Sequence, residues 1–164
     1  PFSLQGISIP AGKYNFYDMR IGFNSDPSRQ VSYGITYRPQ GFYGGDRRDL
    51  SLSLGSRITS KFSTAVGYTR NDVQNLPGGG FVTQLGSLRV DYTFSPTLSL
   101  RTLTQYNSSR DQWSTSVRFR YIYRPGSDLY IVYDEVRRDI NGIPVVQEFR
   151  DRRLIIKATY LVSM

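Results

Sequence analysis

Trp113-Ser114-Thr115-Ser116-Val117-Arg118-Phe119-Arg120-Tyr121-Ile122-Tyr123 places a large or β-branched side chain at every odd position and, up to Ile122, a small or cationic one at every even position. A strand turns successive side chains to opposite faces, so this run has one apolar face and one polar face. Val31-Ser32-Tyr33-Gly34-Ile35-Thr36-Tyr37-Arg38 repeats the pattern, and Phe62, Thr64, Val66 and Tyr68 alternate with Ser63, Ala65, Gly67 and Thr69. Carried along the chain, the alternation predicts strands over 12–24, 30–38, 47–57, 60–70, 81–94, 97–107, 112–123, 128–136 and 146–162. Helical periodicity of useful length is absent, and the predicted fold class is all-β.

The connections add a direction. Short ones are expected at 25–28, 55–57, 95–97 and 125–127, and longer ones at 39–48, 71–80 and 136–145, with 107–111 as a shorter member of the second set. Gly, Pro, Asn and Asp supply the turn geometry in both. Strict alternation of short and long connections puts all the short ones at one end of an antiparallel up-and-down sheet. Outer-membrane barrels are built this way, with short periplasmic turns and longer extracellular loops.

Taking the short turns as periplasmic gives every strand residue a depth. Toward that end the apolar face carries Phe23, Phe62, Tyr92, Phe94, Tyr121, Tyr123 and Tyr160; toward the outside it carries Tyr17, Tyr37, Tyr68, Tyr106, Trp113 and Tyr133. Between them lie aliphatic residues such as Ile35, Val66, Leu88, Val90, Leu100, Val117, Ile131, Leu154 and Ile156. Two aromatic bands around an aliphatic belt are the girdles expected at the two membrane interfaces. The opposite face carries Arg20, Arg89, Asp91, Arg101, Arg118, Arg120 and Asp134 among many Ser and Thr. Charges there are costly against lipid but can be hydrated or matched in a lumen. Arg89 with Asp91, and Arg118 and Arg120 with Asp134, are the expected ladder partners. A cationic lumen would favour anionic solutes.

Composition narrows the chemistry. The 164 residues suit one domain; hydrophobic residues make up 38%, aromatics 14%, and Lys+Arg 21 exceed Asp+Glu 13. No stretch approaches the roughly 20 apolar residues of a membrane helix. Cys and His are both absent, which removes disulfides, thiolate ligands, imidazole bases and every Ser-His or Cys-His pair. The positive charge is spread over the whole length rather than gathered in a stripe, and no nucleic-acid-binding motif accompanies it, so nucleic acid is not an expected partner.

The termini carry two further expectations. Nine strands ending in the periplasm leave 1–11 at the outer end, either as a leading segment or, over 2–9, as a tenth strand; residues 12–164 form the barrel strands. The chain start shows no charged segment followed by an apolar stretch. Both features are expected of a fragment or processed product, the C-terminal part of a larger barrel. Leu154, Ile156, Ala158, Tyr160, Val162 and Met164 share one parity and look like a terminal insertion strand, with Met where Phe or Trp usually stands.

Several runs together carry a family resemblance. Gly-Gly-Gly-Phe-Val-Thr-Gln-Leu-Gly-Ser-Leu-Arg-Val-Asp-Tyr-Thr-Phe-Ser-Pro (78–96) is followed by Leu-Arg-Thr-Leu-Thr-Gln-Tyr-Asn (100–107). Val-Arg-Phe-Arg-Tyr-Ile-Tyr-Arg-Pro-Gly-Ser-Asp-Leu-Tyr-Ile-Val-Tyr-Asp (117–134) and Leu-Ile-Ile-Lys-Ala-Thr-Tyr (154–160) follow, with Gly-Phe-Tyr-Gly-Gly (41–45) upstream. These resemble the C-terminal outer-membrane β-barrel domain of a large bacterial family of unknown function, whose members typically carry an N-terminal carbohydrate-binding, family-nine-like domain. The resemblance covers most of 41–160. It implies a bacterial outer-membrane location and a barrel larger than this chain, and it implies no reaction.

Three functions follow as expectations. The first is a structural, anchoring or passive transport role with an Arg-lined interior. The second is an interaction module in which Phe42, Tyr43, Arg47, Arg48, Arg137 and Arg138 at the outer rim meet a partner protein, a glycan or lipopolysaccharide phosphates. The third and most remote is a barrel-embedded hydrolase using paired carboxylates among Asp18, Asp91, Asp134 and Glu135; barrel carboxylates are far more often Arg partners, so no catalysis is expected. Gly78-Gly79-Gly80 is read as a hairpin rather than a phosphate loop, since no helix or Lys-Ser/Thr follows. No cofactor and no metal are expected. Outer-membrane lipids, and partner chains completing or flanking the wall, are the expected surroundings.

Overall fold

A computed structural model of the chain describes the backbone of residues 1–139 and 147–161 and the side chains of 1–138 and 151–161. The described residues form two antiparallel sheets and no helix. β1 (Phe2–Leu4) and β2 (Ile7–Ile9) make a small hairpin of their own. β3 (Ile21–Asn24), β4 (Val31–Phe42), β5 (Gly45–Arg57), β6 (Phe62–Leu76), β7 (Gly79–Ser95), β8 (Leu98–Asn107), β9 (Gln112–Arg124), β10 (Ser127–Asp139) and β11 (Gln147–Thr159) form the main sheet in chain order. Each strand pairs with the next, as consecutive strands joined by short turns do. β3 and β11 are the edges, and no pairing joins them among the described residues: the sheet is open.

The register explains why the alternation persists through nine strands. Residues directly opposite share a face, so the rows can be followed across the sheet. One row runs Ile35, Leu52, Tyr68. Another runs Val66, Leu88, Thr104, Thr115, Glu135. A third runs Tyr92, Leu100, Phe119, Ile131, Ile156. All the odd positions of β3, β4, β9 and β10 therefore lie on the same side as the even positions of β5 to β8. The opposite side carries Thr36, Ser51, Thr69 and Ser53 toward β3, and Asp91, Arg101 and Arg118 toward β11. Leu85, Leu103, Val132 and Ile155 are among the apolar members of this largely polar face, as are Val73 and Phe81 at its top.

Three expectations are corrected. The stretch 12–24 is regular strand only over Ile21–Asn24; before it, the chain follows β4 through the isolated bridge Asp18↔Gln40 and single bonds from Met19 N to Pro39 O (3.1 Å) and Gly41 N to Tyr17 O (2.9 Å). Residues 2–9 are not a tenth strand of the sheet, because Gln5 (φ 51) and Gly6 (φ 81) fold them back on themselves. The long loops at 39–48 and 71–80 are instead the tops of tall hairpins. Tyr43 (φ 49) and Gly44 (φ 85) reverse the chain in two left-handed residues, so pairing continues to Phe42↔Gly45. Likewise β6 and β7 pair to Leu76↔Gly79 across a bulge. Loop length therefore does not alternate: 25–30 at the opposite end is longer than either of these turns. The connection at 140–146 and the terminal positions Val162 and Met164 lie outside the described residues.

Burial is equally uneven. Among the described residues the buried hydrophobic ones are Ile9, Val73 and Leu76, with Leu4, Ile7, Tyr14, Phe42, Tyr43 and Phe81 packed around them. This core sits where the β1–β2 hairpin leans on the projecting β4–β5 and β6–β7 hairpins. Gly78 permits the approach: a Cβ there would stand 2.9 Å from Ile7 Cγ2. The apolar face of the main sheet, by contrast, is uncovered, with Leu154, Ile156 and Tyr160 63%, 62% and 61% exposed.

Candidate functional site

The polar face divides into two regions. Over β3 to β6 it is built from small residues packed against one another: Gly34 meets Asn24 and Ser53, Gly55 meets Ser32, and Ser51 Oγ lies 3.4 Å from Thr69 Oγ1. Over β7 to β10 it becomes cationic. Arg89 and Asp91 on β7, Arg101 on β8, Arg118 and Arg120 on β9 and Asp134 on β10 share this face, as the alternation predicts. Arg20 does not join them; it precedes β3 at the far edge of the sheet.

The ion pairs differ from the expected ladder. Asp91 lies opposite Arg101 and accepts a hydrogen bond from its Nε at 2.5 Å. Arg89 is two residues from Asp91 on the same strand, but its own cross-strand partners are Ala65 and Leu103. Arg120 bonds Asp128 at 3.1 Å, with its guanidinium 5.1 Å above the Tyr130 ring. Asp134 faces Ser116 and Arg153 rather than Arg118 or Arg120. Arg101 and Arg118 stand directly opposite one another. Two depressions open here, about 340 Å³ lined by Asp91, Arg101, Arg118, Arg120 and Tyr130 among others, and about 150 Å³ lined by Arg89, Arg101, Leu103, Ser116 and Arg118. Guanidinium groups offer planar pairs of donors matched to carboxylate and phosphate oxygens, so the chemistry on offer is oxyanion binding. Asp128, Tyr130 and Ser116 are members that sequence reasoning passed over; their even numbering in β9 and β10 is the signal that places them here.

The predicted aromatic residues sit on the apolar face in two rows. At one end Phe62 and Tyr92 lie tilted with centroids 5.9 Å apart, Tyr92 meets Phe94 at 4.5 Å, Tyr121 lies 6.5 Å from Tyr123, and the Tyr123 hydroxyl donates to Thr159 O (2.7 Å). Phe23 and Tyr160 lie at the same end. At the other end Tyr106 and Trp113 lie 4.9 Å apart, with Tyr133 on β10, Tyr68 on β6 and Tyr37 on β4, and Tyr17 donating to Asp46 Oδ1 (3.0 Å). From Phe62 to Tyr68 the strand rises about 20 Å, and from Trp113 to Tyr121 about 27 Å, at roughly 3.4 Å per residue. Immediately beyond the second row the same face becomes charged. Arg70 pairs with Asp72 at 3.4 Å; Glu135, buried, accepts from Arg137 and the Tyr133 hydroxyl with Arg152 3.8 Å away.

The predicted outer-rim residues have mixed fates. Tyr43 is the hub of a ring cluster, meeting Phe2, Tyr14, Phe16 and Phe42 edge-on at 5.2, 5.5, 5.4 and 4.9 Å. Arg47 bonds Asp49 at 2.7 Å and lies 5.5 Å over Phe42. Tyr43 and Phe42 pack against the N-terminal hairpin, and Arg47 caps the Phe42 ring. Arg48 is exposed on the apolar-face parity above Tyr37 and Tyr68, Arg137 is engaged with Glu135, and Arg138 is exposed. Of the four carboxylates considered for hydrolysis, Asp18 is bonded by Arg38, Asp91 by Arg101 and Glu135 by Arg137, and Asp134 lies on the face opposite Glu135.

No protein-family model matches the chain, and no curated protein sequence matches it.

Proposed function

We propose that the chain is a section of an outer-membrane β-barrel wall, with its apolar face against lipid and its polar face lining a water-filled interior. In this reading it serves a structural, anchoring or passive transport role. The observation that carries it is the single apolar face that stays in register through nine strands and is bounded above and below by aromatic rings. The span between the rows is of the order of the roughly 25 Å apolar band of such barrels. In water this uncovered surface would be strongly unfavourable at about 25 cal/mol per Å²; lipid removes that cost. The resemblance of 41–160 to the C-terminal barrel domain of the bacterial family supports the same reading, and both edges of the open sheet are then completed by further strands.

Trp113 is the sole tryptophan of the sequence, which makes the test direct. Refolded into vesicles with lipids brominated at graded depths, Trp113 is expected to quench best with shallow labels, and a Trp113→Phe/Leu88→Trp variant, mid-belt, with deep ones. A Trp113→Phe/Ser53→Trp variant, on the polar face, should escape the lipid label. Equal quenching of all three, or none, would sink the reading.

One observation favours a second role on the same surface. Arg48, Arg70, Arg137 and Arg152 all lie just past the aromatic row that the barrel reading puts at the outer interface. Lipopolysaccharide phosphates would meet guanidinium groups at that level.

A further inference from the structure

We infer that Arg89, Arg101 and Arg118, together with the Ser116 hydroxyl, form a discrete oxyanion site for a carboxylate or phosphate group carried by a solute. The inference rests on the polar face being open to water, as in the reading above, and goes further by naming the atoms and the ligand class.

Five observations converge. Arg101 and Arg118 are direct cross-strand neighbours, and like charges so placed destabilise a sheet unless something lies between them. The nearby carboxylate, Asp91, is bonded to Arg101 Nε, which leaves Arg118 uncompensated. Arg89 and Arg118 make no hydrogen bond or ion pair among the described residues. Ser116 Oγ is shut off from solvent and has no hydrogen-bond partner, a costly state for a hydroxyl. All four residues line one depression of about 150 Å³, which at about 30 Å³ per water has room for an oxyanion with some of its hydration. A single oxyanion group answers each deficit at once, bridging the two facing guanidiniums, drawing in Arg89, and giving the serine hydroxyl an acceptor.

Isothermal titration of the full chain in detergent micelles tests this, with inorganic phosphate and glucuronate as probes and chloride at matched ionic strength as control. Saturable binding of either probe is expected; phosphate alone would point to phosphorylated solutes and glucuronate alone to carboxylated ones. Arg118→Gln should weaken binding tenfold or more, Ser116→Ala several-fold, and Arg110→Gln, in the 108–111 turn, not at all. Melting supplies an independent sign. Without probe, Arg118→Gln should melt above the parent, because the like-charge contact is gone, and its melting should no longer rise with probe. An Arg118→Gln variant that binds like the parent, one that melts lower, or a parent response matched by chloride would each overturn the site. A chain that binds the probe but fails the lipid-quenching test keeps the site and loses the membrane; the reverse result does the opposite.

Discussion

Asp46 shows how one side chain ties separate parts of the chain together. Its carboxylate accepts from Asn75 Nδ2 at 3.0 Å and from the Tyr17 hydroxyl at 3.0 Å, joining the top of β5 to the top of β6 and to the irregular segment before β3. The bond from Asn75, then that from Tyr17, hold its carboxyl below the usual carboxylate range. Because the folded value is lowered, this contribution is present above about pH 3.9 and is lost as pH falls through the folded value. The Asn75 side-chain amide signals are therefore expected to titrate with a midpoint below about 3.9 and to lose that titration in Asp46→Asn. A midpoint at or above 3.9 would contradict the geometry. None of this was legible in sequence. Asp46, Tyr17 and Asn75 are far apart in the chain, and only the register brings them together. The same limit applies to Asp91: its parity is readable from Val90 and Tyr92, but its choice of Arg101 over Arg89 depends on the turn at 96–97 and a bulge. A one-residue slip there would have turned the whole of β8 over.

Among the elements, strands were readable and hairpin tops were not. Alternation is a local property, and nine strands of the main sheet emerge from it with their faces assigned. The stretches 39–48 and 71–80 are rich in Gly, Pro, Asn and Asp and read as loops, yet two residues suffice for each reversal and the rest are paired. The β1–β2 hairpin was hidden by its shortness, since three-residue strands carry no periodicity. Its attachment can be tested at Ile9, fully buried against Val73 and Leu76. Ile9→Ala should remove about 2–5 kcal/mol of local packing. Limited proteolysis should then cut within 1–16 much faster, while protection of β5 to β9 amides stays as before. If protection in the central strands fell equally, the hairpin would belong to the cooperative unit of the sheet.

At the scale of the whole molecule, the sheet has two chemically distinct sides and hardly any interior. Large side chains such as Ile35, Leu52, Leu88 and Ile156 lie uncovered in a belt on one side. Leu88, in the middle of that belt, gives the sharpest stability contrast. Within a bilayer, Leu88→Arg should cost about 2–4 kcal/mol, while Ser87→Asn, one residue away on the polar face, should cost much less. Equal effects in a denaturant titration from vesicles would argue for similar surroundings on both sides.

The two edges of this sheet are unequal. β11 presents a regular strand over Gln147–Thr159, whereas β3 is regular only over Ile21–Asn24 and continues upward as single, scattered bonds. A seam made by joining these two edges to each other would leave most of β11 without a mate, which the proposed lipid surroundings would not tolerate. The zipper has long teeth on one side and short ones on the other. In the barrel proposed above, a full-length strand would be needed to mate with β11, while at β3 a short lower contact would suffice, the stretch above it being braced by Asp18 on Arg38 and Tyr17 on Asp46. In that reading the joint at β11 would carry most of the backbone hydrogen bonds of the seam, and the joint at β3 few.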